Sequence, residues 1–117
     1  MRRALAAFSL FAVVLASCGG GGAAAGPSND LTITMTEFKF DPVNPTVNAG
    51  QPIKLRVKNA GTVEHDIVID KAGVNLLVKA GASAAKEIPA PAAGTYDIVC
   101  SIAGHKEAGM VGKLIVK

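Results

Sequence analysis

Cys100, His105 and Met110 lie close together near the end of a 117-residue chain, in the spacing C-x4-H-x4-M. The chain has two histidines, and the other, His65, lies well upstream. A soft thiolate, two imidazoles and a weak thioether form the ligand set of a blue-copper site. Taken singly, each residue has a plainer reading. His65 fits a hydrogen-bonded core histidine, Cys100 a small buried hydrophobe, Met110 core filler and His105 a surface residue. The joint spacing favours the metal site. Met35 has no such company and reads as core.

The elements around these residues must place them together. Cys100 is expected to end a strand whose Tyr96, Ile98 and Cys100 share one face. Ser101 to Gly104 then turn, and His105 points back toward the thiol. Lys106 to Gly109 turn again and deliver Met110 to the start of the last strand, where Leu114 and Val116 share its parity. Gly104 and Gly109 give backbone freedom where this loop is tight. His65 falls on the apolar face of a strand with Val63, Ile67 and Ile69.

The rest of the domain reads as short alternating stretches broken by Gly, Pro and Asn, the pattern of an all-β antiparallel sandwich or barrel. Ile53, Leu55 and Val57 alternate with Lys54, Arg56 and Lys58. Leu31, Ile33 and Met35 share a parity, and Phe38 and Phe40 take the other. That slip at Thr36-Glu37 predicts a bulge or a change of partner. Val74–Val78 and Lys86–Ile88 are weaker strand candidates. Asn59-Ala60-Gly61 and Pro91–Gly94 read as turns.

Before the domain, Arg2 and Arg3 precede a run from Ala4 to Ala16 that is apolar except for Ser9. This is the layout of a secretory signal over 1–17, too short to span a bilayer comfortably. Leu15-Ala16-Ser17-Cys18 resembles the box of a bacterial lipoprotein signal, which makes Cys18 the lipidated first residue. Simple cleavage near Ala16 or Cys18 is the alternative. With Cys18 lipidated, Cys100 is an odd thiol in an oxidising compartment, which needs a reason. Residues 18–30 carry the run GGGGAAAGPSND. It is a flexible linker with a reach on the order of 20 Å. The folded domain is expected over 31–117.

The stretches N-A-G-T-V-E-H-D-I-V-I (59–69) and G-T-Y-D-I-V-C-S-I-A-G-H-K-E-A-G-M-V-G-K-L (94–114) resemble the cupredoxin family, which includes plastocyanins, azurins and auracyanins. T-E-F-K-F-D-P (36–42) and V-N-A-G-Q-P-I (47–53) are similar to the family's first strands. The resemblance implies a Greek-key antiparallel β-sandwich. It implies His65, Cys100 and His105 as equatorial ligands of one copper ion and Met110 as the axial one. The gap between Cys100 and His105 is nearer to auracyanin than to plastocyanin. Asp66 stands where the family often has Asn, a residue that ties the two ligand loops together, so Asp66 and Ser101 are expected behind the ligands; the alternative, from its place among Glu64 and Asp70 on the polar face, is that Asp66 points to solvent. Ala103 stands where a Pro is frequent. The resemblance also makes His105 the electron port.

The function expected is a one-electron carrier rather than an enzyme. No histidine is left for a second, catalytic copper site, and residues 101–110 hold no second Cys for a dinuclear centre. The partners expected are transient redox donors and acceptors, with a monomeric protein held outside the cytoplasm by its lipid. Removing the signal takes the formal charge from +3 to ten Lys and Arg against nine Asp and Glu. These charges are dispersed, which gives no footprint for nucleic acid. A copper-sequestering or copper-delivery protein would use the same ligands. A metal-free sandwich module would use none of them.

Overall fold

A computed structural model describes residues 28–117. The signal and Cys18 lie outside the described residues. Among the described residues nine strands form two stacked sheets: β1 (Asn29–Thr36), β2 (Lys39–Asp41), β3 (Thr46–Val47), β4 (Ile53–Asn59), β5 (His65–Ile69), β6 (Val74–Val78), β7 (Ser83–Ile88), β8 (Gly94–Val99) and β9 (Val111–Val116). One sheet has the order β2-β1-β4-β7 and the other β3-β9-β8-β5-β6. A single 3-10 turn at Asp70–Ala72 is the only helical element among the described residues.

Period-two alternation makes these strands two-faced. In β4, Ile53, Leu55 and Val57 point inward, while Lys54, Arg56 and Lys58 stay in water. From β1 come Leu31, Ile33 and Met35, and from the other sheet Ile67, Ile69, Ile98, Leu114 and Val116. Burying one such side chain contributes roughly 1.5–3 kcal/mol. The core therefore fixes strand register, because a one-residue slip would turn each inward set to solvent.

The expected sandwich is present, but its sheets are mixed rather than purely antiparallel. β1 pairs β4 in parallel, and β3 pairs β9 in parallel. The chain leaves β1 through the β2 hairpin and crosses to the second sheet as β3. It then returns as β4 running the same way as β1. Alternation reveals which face of a strand is buried and says nothing of its partner's direction.

Strand β1 begins at Asn29, inside the expected linker. The Asn29 amide donates to Asn48 O at 2.9 Å and accepts the Asn48 N–H at 2.9 Å, so this residue is tied to the domain. The parity slip at Thr36-Glu37 is a tight reversal, with Thr36 opposite Lys39. It leaves Phe40 in the core and Phe38 at 41% exposure. Val63 lies outside β5 and is exposed. Strand β7 starts at Ser83, earlier than alternation suggested, because Ser83 and Ala84 pair with Lys58 and Val57.

Candidate metal centre

His65 opens β5, opposite Val78 of β6, and is fully buried. The loop leading to it is organised by Asn59 at the end of β4. The buried Asn59 amide donates to Val63 O at 2.8 Å and Val78 O at 2.9 Å, and its Oδ1 accepts the Gly61 N–H at 2.9 Å. Every polar atom of that side chain is used, so the entry to His65 is set from beneath.

Cys100 follows β8 directly, and Met110 directly precedes β9. Between them the backbone closes on itself. His105 N–H donates to Ile102 O at 3.0 Å, Ala108 N–H to Gly104 O at 3.1 Å, and Gly109 N–H to Lys106 O at 3.0 Å. Met110 N–H donates to His105 O at 3.1 Å, and Cys100 N–H to Met110 O at 3.2 Å. Gly104 and Gly109 have φ of 84° and 105°, which only glycine adopts without strain.

The outcome is a convergence of donors. His65 Nδ1 lies 3.1 Å from His105 Nδ1, and Cys100 Sγ lies 3.5 Å from His105 Nδ1. One ligand atom from each of the three lies within 4.8 Å of the others. His65 and Cys100 are buried and His105 is half-buried. Met110, which ends the same loop as Cys100 and His105, is fully buried. Two ring nitrogens facing each other beside a sulfur offer lone pairs to one cation, and thiolate with imidazole suits copper or zinc. The donor set fits a copper ion.

Burial pushes the Cys100 thiol above its ordinary range. Backbone N–H groups of Asp66 and Ile102 pull the other way, and the Asp66 carboxylate adds to the rise. A thiolate at this position is therefore costly without a cation. Asp66 is 6% exposed and does not face water. Its Oδ1 accepts the Ser101 N–H at 2.6 Å, and its Oδ2 accepts the Ser101 hydroxyl.

Two residues at this site were not singled out from the sequence. Glu37 Oε1 lies 3.3 Å from His65 Nε2 and accepts the N–H groups of Thr62 at 2.7 Å and Val63 at 3.1 Å. The Thr62 N–H, helped by that of Val63, holds the Glu37 carboxyl below its usual range against the opposing cost of burial. Phe38 packs edge-on against both rings, with centroids 6.4 Å from His65 and 4.9 Å from His105. The available signal was the parity break that leaves this aromatic off the core face.

The sequence matches the cupredoxin-like domain family over residues 5–116. Auracyanin-A of Chloroflexus aurantiacus is 33% identical, aligned over 96% of this chain and 94% of its own length. The solved structure of auracyanin A, described as a "blue" copper protein, superposes with a TM-score of 0.62 at 27% identity, covering 76% of this chain and all of the other. Reduced auracyanin from the photosynthetic bacterium Roseiflexus castenholzii gives a TM-score of 0.68 at 26% identity, over 79% of this chain and 99% of that one. The copper-resistant cuproprotein CopI of Rubrivivax gelatinosus is 28% identical over 82% of this chain and 71% of its own.

Proposed function

This chain belongs to the cupredoxin-like domain family, and we propose that it is a type 1 copper protein passing single electrons between redox partners outside the cytoplasm. The observation that carries this reading is the meeting of the buried His65 and Cys100 with the half-buried His105. The similarity to auracyanins supports it. One bound copper ion supplies the Cu(I)/Cu(II) couple there.

Cys100 gives the soft thiolate, and His65 and His105 the two imidazoles. Met110 would add a weak thioether donor. His65 stands on β5 and Cys100 at the end of β8, two strands paired at Val68 and Val99. A sheet holds these donors rigidly, so little rearranges when the charge changes. The half-buried His105, beside Phe38 and Ile102, is the route for the electron. The protein acts as a monomer, carries no catalytic site of its own and is held to a membrane by lipid on Cys18.

The similarity to CopI favours a second reading, in which the same ligands sequester or deliver copper. The visible spectrum of the Cu(II) protein tests the site: an intense band toward the red end is expected, and a colourless complex would refute a type 1 centre. Voltammetry separates the two roles. A stable, reversible wave marks a carrier, and rapid loss of copper to a chelator marks delivery.

A further inference from the structure

We propose that Glu37 is the positioning residue for the first ligand histidine: its carboxylate accepts a hydrogen bond from the Nε2–H of His65, leaves Nδ1 bare for the metal and adds a fixed negative charge behind it. The inference rests on the copper reading of the site and adds a residue to it.

The His65 ring is fully buried, and its two nitrogens face different groups. Nδ1 looks toward His105 Nδ1 at 3.1 Å, and Nε2 toward Glu37 Oε1 at 3.3 Å. A neutral imidazole donates through one nitrogen and accepts through the other, and an ionised carboxylate only accepts. The proton therefore belongs on Nε2, and the lone pair on Nδ1 faces His105 and Cys100. Histidines that bind metals commonly donate the second ring N–H to a carboxylate, carbonyl or water, which fixes tautomer and ring orientation.

Glu37 is itself held in place. The Thr62 and Val63 N–H groups hold the same oxygen, Oε1. Gly61 leaves room for it, since a Cβ there would lie 2.2 Å from Oε1. The neighbouring Phe38 packs on both histidine rings, so one reversal between β1 and β2 supports the pair from behind and from the side. A purely structural role would confine Glu37 to tying the backbone of Thr62 and Val63.

Long-range 1H–15N NMR of the full chain at pH 8, metal-free and loaded with Cu(I), decides the tautomer. A proton on His65 Nε2 is expected in both forms, and a proton on Nδ1 in the metal-free protein would overturn the proposal. Glu37→Gln keeps an oxygen for the backbone donors and removes the charge. It should raise the reduction potential with the fold intact. Glu37→Ala should mix the His65 tautomers and weaken copper binding roughly 10–100-fold. Gly61→Ala should displace the carboxylate and reproduce these changes in part. Potential and tautomer unchanged in Glu37→Gln and Gly61→Ala would overturn the proposal even if Glu37→Ala failed to fold. A wild-type protein without the blue band would refute the copper reading alone, because the metal-free tautomer still tests Glu37.

Discussion

Asp66 grips Ser101 at two points, taking its backbone N–H at 2.6 Å and its hydroxyl. Asp66 follows His65 in the chain and Ser101 follows Cys100, so this contact fastens the two ligand-bearing segments to each other. A carboxylate does so with a negative charge, where an amide would do so without one. At an effective dielectric of about 20 and roughly 6 Å, one charge is worth about 3 kcal/mol before solvent screening. A one-electron couple converts about 1.4 kcal/mol to 59 mV. Asp66→Asn should raise the potential by tens of millivolts, with about 100 mV as the ceiling. Voltammetry at neutral pH reads this, and equal potentials would mean that the charge does not reach the couple.

Met110→Leu should keep the blue band and raise the potential, since losing a weak donor disfavours Cu(II). Met110→Gln should lower it. The two voltammograms are the check, and identical potentials would place the thioether out of reach of the metal.

Copper binding should strengthen as pH rises. The Cys100 thiol is pushed up by burial, so near neutrality it is protonated in the metal-free protein, and the cation must displace that proton. While this holds, apparent affinity should climb about tenfold per pH unit, and the gain should end once pH passes the raised thiol pKa. Competition titrations from pH 7 upward measure the slope. Cys100→Ser should flatten it and abolish the visible band.

Gly112 lies on β9 beneath the segment that joins β2 to β3. A Cβ there would lie 2.2 Å from the Val43 carbonyl oxygen, which accepts the Lys113 N–H at 3.1 Å. Backbone cannot swing aside as a side chain can, so Gly112→Ala should cost about 1–3 kcal/mol of stability. Denaturant titration would show it as a lower midpoint at constant slope, and an unchanged midpoint would mean that the segment yields freely.

Full-length protein should fractionate with membranes, and Cys18→Ala should release it or block its maturation. Mass spectrometry of the mature N-terminus is the check. Wild-type protein found in the soluble fraction with an unmodified Cys18 would refute the anchor.

Much of the centre was legible because its chemistry is concentrated. Three of the expected ligands fall in one loop, and soft donors in that spacing have few other uses. The sandwich was legible because Ile53, Leu55 and Val57 alternate cleanly with charge. The parallel pairing of β1 with β4 was not, since a side-chain pattern records burial and not strand direction. Glu37 and Phe38 were missed for a related reason. They come from a reversal 28 and 27 residues before His65, and only the folded sheets bring that turn over the histidines. A carboxylate and an aromatic in a short turn look like any exposed corner until the partner ring is in view. Asp66 was half legible: its position beside His65 was informative, but its inward direction was not, because the acidic residues of the same parity just outside β5, Glu64 and Asp70, face water.

The hydrogen-bonded closure of residues 100–110 bears on how such a centre can change over generations. Val99 and Val111 are paired across β8 and β9, and Cys100 N–H bonds to Met110 O just beyond them. The loop therefore hangs from a hairpin whose register is settled by core residues outside it. Lengthening or shortening 101–109 would shift no inward-facing side chain to the wrong face. The segment behaves as an interchangeable cartridge on a fixed mount, so selection can retune ligand spacing there without re-solving the packing of the two sheets behind it.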